Sequence, residues 1–410
     1  MFLIFIKKFS LVLFGLLVAL IVLEISIRVL LSFLPENLLP TYGIYQKSYP
    51  VIGHKLLPNL NGVWSREGFS RVKTNSMGWN DYERNVVKPL NTIRIAIVGD
   101  SFIEALQVDK SKAVGQITEL WLEENCNNFD TLNPNFEVLS FGVSGWGTSQ
   151  MYLAILNEVL LFDPDYILFA FFPGNDIKNN IYEVELNPHK PYFEINDQGE
   201  LFLSRAPLLD NSIKKYLYRF VRDRSILVQV MREPIVKIFA SNKNIVKEKN
   251  LKSNIKDEYQ KKLELIEGSS WGKNLDSKIV QDSWRLTEEL LLKTSQDIKS
   301  HNSEMLILIV SRGEVVDFER DYVLEFWAKD QQIKNIFYSE ERIENFGFKN
   351  DIPVISISRE MSVFNWGKKF GTTKFHGFGD QLGHGHWNEK GHDFVGKVVG
   401  EEICGTLYKG

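Results

Sequence analysis

The sequence is poor in cysteine, and this excludes several classes of protein. Cys126 and Cys404 are the only cysteines in 410 residues, too few and too far apart for a disulfide framework or a zinc knuckle. The favoured interpretation is two buried thiols, and a single long-range bridge is the alternative. The chain also lacks internal repeats and low-complexity tracts, which leaves an ordinary globular protein.

An excess of positive charge is lacking as well. The chain has 48 Lys and Arg against 52 Asp and Glu, a formal net charge of −4. Because binding to nucleic acid needs a basic footprint, we expect no nucleic-acid partner. Hydrophobic residues make up 44% of the chain and charged residues 24%, so one large domain or two smaller ones can bury a core.

Long apolar runs are absent except at the N-terminus. Phe9–Val22 is almost unbroken apolar sequence, and the pattern continues to Leu34 with Glu24 and Arg28 interposed. Since about 20 helical residues span a bilayer, residues 1–35 are predicted to form a transmembrane helix. Glu24 and Arg28 are four residues apart, which lets them pair near the far interface.

The charges around this run predict its orientation. Lys7 and Lys8 precede it and no basic cluster follows closely, so the positive-inside rule places the rest of the chain outside the cytoplasm, in the periplasm or the extracellular space. A cleaved signal peptide is the alternative. It would need small residues at the end of a shorter run, and residues 23–26 make a poor cleavage site.

Short apolar runs alternate with helical patterns from residue 91 onward. The runs lack polar alternation, which is typical of strands buried on both faces; they are Ile93–Gly99, Phe136–Phe141, Tyr166–Phe172, Met305–Ser311 and Pro353–Ile357. Helices are predicted between or after them at Ala113–Glu124, Gln150–Leu161, Gln281–His301 and Glu389–Ile403. The sequence therefore predicts an α/β fold of three layers, flavodoxin-like, with a five-stranded parallel sheet.

Three segments follow from this pattern. Residues 36–90 are predicted to form a loop-like lead-in, punctuated by proline and glycine, that packs on the domain that follows. Residues 91–408 form that domain, with a helical insertion at about 180–280. The insertion is rich in lysine, at positions Lys243, Lys247, Lys249, Lys252, Lys256, Lys261 and Lys262. A solvated helical surface is the simpler interpretation, and contact with anionic lipid or glycan is the alternative.

Residues suited to catalysis or ligand binding follow the first three predicted strands. Ser101, in Gly99-Asp100-Ser101, is a candidate nucleophile, although Asp and Ser also serve as helix caps. Gly145 lies in a glycine-rich loop that leaves backbone N–H groups free to bind a ligand, or that is simply a turn. Asn175 is able to donate to an oxyanion, or closes the strand as an Asx-turn. Strand ends of one parallel sheet converge, so these residues are expected at one edge.

Three of the seven histidines lie together near the C-terminus, at positions 384, 386 and 392. A histidine there is suited to act as a general base near neutral pH. Alternatively, His384, His386 and His392 hold zinc and activate water, which would make a different class of hydrolase.

These blocks, taken in order, resemble the SGNH or GDSL-type hydrolase superfamily in its membrane-anchored bacterial envelope form. Gly99-Asp100-Ser101 resembles the nucleophile block, Gly145 the oxyanion glycine, Gly174-Asn175-Asp176 the third block and His386 the final histidine. Residues 74–79 resemble the lead-in of envelope members. The resemblance covers roughly residues 70–180 and 280–400.

The chain departs from the family at three places. Phe102 replaces the leucine of the GDSL name, and Ser140 stands where many relatives have asparagine. The family's aspartate, two or three residues before the histidine, is replaced by His384 or Gly383. Asp380 is the nearest acid and orients the imidazole if the loop bends back; otherwise the pair is a Ser-His dyad.

The resemblance implies an ester hydrolase with an acyl-enzyme intermediate. Ser101 attacks the ester, His386 is the base, and the N–H groups of Ser101 and Gly145 with the Asn175 amide bind the oxyanion. It implies no metal and no cofactor. The expected substrates are O-acyl groups of cell-envelope glycans or lipids; an O-acyltransferase using the same site and an inactive glycan-binding protein are the alternatives.

Overall fold

The computed structural model describes residues 2–126, 134–209, 212–232, 234, 253–368 and 371–408. The strands within these residues are β1 Gln46–Tyr49, β2 Gly53–Leu56, β3 Asn61–Trp64, β4 Ser70–Lys73, β5 Thr92–Gly99, β6 Asn135–Gly142, β7 Tyr166–Phe171, β8 Tyr192–Ile195, β9 Leu201–Arg205, β10 Glu304–Ile309 and β11 Val354–Ser356. The helices are α1 Phe2–Phe33, α2 Ser101–Glu104, α3 Val114–Asn125, α4 Thr148–Ala154, α5 Asp176–Asn179, α6 Tyr182–Glu185, α7 Ile213–Arg222, α8 at residues 226–232, α9 Ser253–Ser269, α10 Lys278–Ser300, α11 Gly313–Val316, α12 Ala328–Asp330, α13 Tyr338–Asn350, α14 Ile357–Trp366 and α15 Glu389–Tyr408.

Five strands form a parallel sheet in the order β11-β10-β7-β5-β6. Numbered along the chain, this is the order 2-1-3-4-5 of flavodoxin-like folds. All five predicted runs are strands of this sheet, and the four predicted helices are present as α3, α4, α10 and α15. The predicted α/β architecture is thus confirmed.

Helices cover both faces of the sheet, and alternate residues of β5 show why. Ile95 and Ile97 belong to the core that contains residues of α3 and α15. Ala96 and Val98 belong to the opposite core, with residues of α4 and α10. All four are fully buried. A strand without polar alternation therefore fits here, because neither of its faces meets water.

The lead-in contains more regular structure than the sequence predicts. β1 pairs with β2 and β3 with β4, each pair antiparallel. Each of these strands is only four residues long, which is too short for a periodic pattern to stand out from the neighbouring prolines and glycines. The loop-like prediction missed them for this reason.

The insertion is mixed rather than purely helical. β8 and β9 form an antiparallel hairpin, and α6 to α9 account for the helical part. Of the predicted lysine-rich piece, Lys256, Lys261 and Lys262 lie on α9. The other four lysines lie outside the described residues.

α1 contains a segment, Ile6–Phe33, that is long and apolar enough to cross a membrane. None of the window that qualifies is buried inside the protein. The predicted pair of Glu24 and Arg28 is present, with an N–O distance of 2.6 Å. Leu31, near the end of α1, packs with Leu39 and Val63, which joins the helix to the lead-in.

Cys126 and Cys404 form a disulfide, so the favoured prediction of two free thiols was wrong and the alternative is correct. Cys126 follows α3 and Cys404 lies in α15, and their Cα atoms are 5.7 Å apart. The sequence separation of 278 residues hid the pairing. The two helices contact each other on one face of the sheet, and this packing brings the sulfur atoms together.

Candidate functional site

Ser101 and His386 lie in hydrogen-bond contact. Oγ of Ser101 is 2.7 Å from Nε2 of His386, across 285 residues of sequence. Asp100 caps α2 by accepting the N–H of Phe102, which leaves the hydroxyl of Ser101 free for the imidazole. The ring of Phe102 packs against that of His386, with centroids 4.9 Å apart. The structure therefore brings the predicted nucleophile and base together.

The acid that contacts His386 is Glu67, not Asp380. Oε2 of Glu67 is 2.6 Å from Nδ1 of His386, and Oε1 accepts the backbone N–H of His386 at 2.7 Å. Asp380 lies on a short, exposed 3₁₀ turn, and within the described residues it has no hydrogen bond to the imidazole. The loop before His386 turns toward the lead-in and not toward Asp380. Glu67 therefore makes the contact with His386 that was predicted for Asp380.

Local backbone geometry explains how Glu67 reaches the imidazole. Glu67 follows β3, and its carbonyl accepts the indole N–H of Trp64 at 2.9 Å, which fixes the turn. Gly385 has φ +84°, and a Cβ there would lie 2.4 Å from Oε1 of Glu67. Glycine is needed at this position both for the left-handed conformation and for the close approach of the carboxylate. Gly385, next to His386, is thus a feature of the sequence that this contact requires.

The Glu67–His386 pair changes the pKa of both groups. Burial lowers the pKa of His386, but the hydrogen bond and negative charge of Glu67 outweigh it, so the net pKa is raised above 6.5. Burial raises the pKa of Glu67, but the imidazole contacts outweigh it and the net pKa is lowered below 4.5. Above the pKa of His386, the site holds a neutral imidazole whose Nδ1 faces a carboxylate.

Gly145 and Asn175 follow the two strands that flank β5, as predicted. Gly145 is exposed at a turn with φ +81°. Within the described part of the chain, the N–H groups of Ser101 and Gly145 donate to no protein acceptor. The Asn175 amide donates to Oδ2 of Asp100 at 2.8 Å, which ties it to the Ser101 turn. An NH₂ group has two hydrogens, so one remains for a ligand.

Glu104 is a buried carboxyl beneath the Gly145 turn, and no motif of the sequence pointed to it. It accepts the backbone N–H of Ser144 at 3.0 Å and also bonds the Ser144 hydroxyl. Burial raises the pKa of Glu104 to about 7, against the lowering effect of the Ser144 bonds. Ser140 is also buried, and its N–H donates to Asp81 at 3.1 Å. The bonds from Glu104 to Ser144 thus fix the turn that carries Gly145.

A second polar chain supports the loop that carries His386. Oγ of Ser311 is 3.1 Å from Nε2 of His376 and accepts the indole N–H of Trp387 at 2.9 Å. A carboxylate oxygen of Asp317 accepts the backbone N–H of His376 at 2.7 Å and lies 3.2 Å from its Nδ1. Ser311, His376 and Asp317 are fully buried. They therefore position the loop and do not meet a substrate.

The three clustered histidines have three different environments. His384 is exposed, with Nδ1 3.4 Å from Glu314. His392 is buried, and burial lowers its pKa to about 3. Within the described residues, no group of three or more His, Cys, Asp or Glu side chains is arranged to hold a metal ion. The side chains considered for zinc are not brought together.

Comparison with known proteins gives distant structural likenesses. No family model and no curated protein matches the chain. Similar solved structures include GDSL-type acylhydrolases and acetyl xylan esterases. The acetyl xylan esterase AlAXEase is 11% identical and covers 76% of this chain and 100% of its own, with a TM-score of 0.37.

Two further structures are similar to the same degree. The lipase/acylhydrolase from Enterococcus faecalis is 14% identical over 77% of this chain and 96% of its own, with a TM-score of 0.36. A putative lipolytic protein of the G-D-S-L family from Desulfitobacterium hafniense is 9% identical over 75% and 98%, with a TM-score of 0.34. Likenesses with TM-scores of 0.34 to 0.37 do not assign a function to this chain.

Proposed function

We propose that this chain is a serine ester hydrolase of the SGNH type. The observation that carries the proposal is the continuous line from the Ser101 hydroxyl through the His386 imidazole to the Glu67 carboxylate, with contacts of 2.7 and 2.6 Å. A nucleophile, a base and an acid that orients the base are the three parts that acyl transfer needs.

The reaction proceeds in two halves. Oγ of Ser101 attacks the ester carbonyl carbon while Nε2 of His386 takes the hydroxyl proton, and Glu67 stabilises the imidazolium that forms. The tetrahedral intermediate collapses, and Nε2 returns the proton to the departing alcohol. Water then attacks the acyl-enzyme with His386 again as base, which releases the carboxylic acid and restores Ser101.

The negative oxygen of the tetrahedral intermediate needs hydrogen-bond donors. We assign this role to the N–H groups of Ser101 and Gly145 and to the side-chain amide of Asn175. Two facts support the assignment: the N–H groups lack protein acceptors within the described chain, and the Asn175 amide is bonded to the residue before Ser101. Each such donor typically lowers the barrier by about 3 kcal/mol.

The alternatives lose their main supports. The case for an inactive glycan-binding protein rested on the missing aspartate, and Glu67 provides a carboxylate at that point of the site. The case for zinc rested on His384, His386 and His392, whose side chains lie in separate environments. No observation favours acyl transfer to a sugar over transfer to water.

The site is proposed to work outside the cytoplasm, tethered by α1. The apolar segment of α1 supports a membrane anchor, and Lys7 and Lys8 before it support an outward orientation. The Cys126–Cys404 disulfide adds independent support, since such bonds persist in oxidising compartments. This location favours O-acyl groups of cell-envelope glycans or lipids as substrates.

Hydrolysis of a panel of short-chain nitrophenyl esters and acetylated sugars by the purified full-length chain tests the proposal. We expect ester hydrolysis by the wild type and by S300A, which removes an exposed hydroxyl on the last turn of α10, and none above background by S101A. Equal rates for S101A and wild type would contradict the proposal. Acyl transfer to an added sugar in preference to water would instead identify an acyltransferase.

A further inference from the structure

α7 presents an apolar face outward, away from the protein. Six large apolar residues of α7 are exposed. Tyr218 is one of them, and the other five lie closer together around the helix: Ile213 73%, Tyr216 65%, Leu217 56%, Phe220 49% and Val221 50%. At 3.6 residues per turn, these five positions fall within an arc of about 140°. We call this arc the α7 outer face.

The opposite side of α7 holds the helix to the protein through polar contacts. Arg222 is buried, and its guanidinium lies 4.2 Å from the ring centre of Tyr45 in the lead-in. A helix on the surface of a water-soluble protein normally turns its apolar residues to the core and its charged residues to solvent. α7 instead turns these apolar residues to solvent and buries Arg222, and contiguous exposed apolar surface of this kind marks an interaction site.

The segment after α7 is bonded to the anchor helix at the end of its apolar run. Glu24 is the first charged residue of α1 after Lys8, and its carboxylate accepts the N–H groups of Ile226 and Leu227 at the start of α8. Arg28, one turn further along α1, donates to the carbonyl of Arg224 at 2.9 Å. α7 is therefore held beside the point where α1 would leave a bilayer.

The charge of this region suits an anionic surface. Residues 212–232 contain six basic residues and one acidic residue, Asp223. Amphipathic helices with aromatic and aliphatic residues on one side and basic residues on the other bind in the plane of membranes that contain anionic lipid. Together, the apolar face, the excess of basic residues and the contact with α1 indicate that an anionic membrane covers the α7 outer face.

We propose that the α7 outer face is buried in the headgroup region of the lipid bilayer that α1 crosses. α7 then acts as a second, interfacial attachment that fixes the orientation of the catalytic domain on an anionic membrane. The inference rests on the proposed anchor, because the bilayer must lie at Glu24 for α7 to reach it.

Fluorescence of an environment-sensitive probe on the full-length chain tests the inference. Leu217→Cys is labelled with a nitrobenzoxadiazole dye, and the chain is reconstituted into nanodiscs of phosphatidylcholine and phosphatidylglycerol. Ile213→Cys, on the same face, provides a second reporter. The matched control is Phe348→Cys on α13, an apolar side chain that is 90% exposed and distant in sequence from α7. The native cysteines are bonded to each other and do not take the label.

We expect blue-shifted emission at positions 213 and 217, and several-fold stronger quenching by nitroxide-bearing lipids than at position 348. Quenching at 213 and 217 equal to that at 348 would overturn the inference, and so would a blue shift without lipid quenching, which would indicate cover by protein. Flotation of the unlabelled chain with liposomes distinguishes the failures. A chain that floats but keeps its probes in water retains the anchor without α7, whereas a chain that does not float refutes both.

Discussion

Replacing Glu67 by glutamine removes the charge beside the base while keeping the size of the side chain. The two oxygens of Glu67 accept two donors of His386, Nδ1–H at 2.6 Å and the backbone N–H at 2.7 Å. Glutamine has one oxygen and one NH₂ group, so one of the two donors must face another donor. E67Q therefore disturbs either the loop or the tautomer of the imidazole.

The expected loss of activity follows from the role of the acid in such triads. Replacing the acid of a serine protease triad by its amide lowers kcat about 10⁴-fold because the wrong tautomer forms. The side chain of Glu67 is 25% exposed, so water partly replaces the lost hydrogen bond to the imidazole. We expect a decrease of about 10²- to 10³-fold, or about 3 to 4 kcal/mol of barrier.

The pH profile gives a second result with a definite sign. Glu67 raises the pKa of His386, and the base must be neutral, so wild-type kcat/KM falls as the pH drops through a pKa above 6.5. E67Q removes the raising charge, and the acid limb moves to lower pH. D380N is the matched control, since Asp380 is exposed and has no hydrogen bond to the imidazole within the described residues. A loss below about tenfold in E67Q, or an equal loss in D380N, would refute the assignment of Glu67.

Three further predictions concern the parts around this pair. N175A lowers kcat about 10²- to 10³-fold with little change in KM in steady-state assays; an unchanged kcat removes Asn175 from the oxyanion site. Reducing Cys126–Cys404, or C404S, lowers the free energy of unfolding by on the order of 3–5 kcal/mol in denaturant titrations; equal stability would contradict this. Because the pKa of Glu104 is raised from 4.5 to about 7, stability falls by on the order of 3 kcal/mol as pH rises through that window, and E104Q flattens the dependence.

The central sheet, and the three candidate site residues that follow its strands, could be predicted from the sequence. The strands are buried on both faces, so apolar runs without alternation were a direct signal, and the right-handed crossovers expected between parallel strands place helices on both faces. Ser101, Gly145 and Asn175 each follow a strand, and parallel strands end at one edge. Their convergence was predictable from connectivity alone.

Glu67 was not predictable in the same way, because its contact depends on how the lead-in packs. It lies 319 residues from His386 along the chain and does not follow a strand of the central sheet. Asp380 is the acid nearest to His386 on its N-terminal side in sequence, so distance along the chain points to the wrong residue. The pairing of Cys126 with Cys404 was missed for the same reason, since α3 and α15 meet only in the folded chain.

Covalent labelling of the full-length chain with a fluorophosphonate, followed by mass spectrometry of the peptides, tests the central claim most directly. The account predicts one phosphonylated residue, Ser101, with labelling retained in S300A and lost in H386A, because the hydroxyl is activated only by the imidazole 2.7 Å away. Failure of the wild type to react, or label on a serine other than 101, would contradict it.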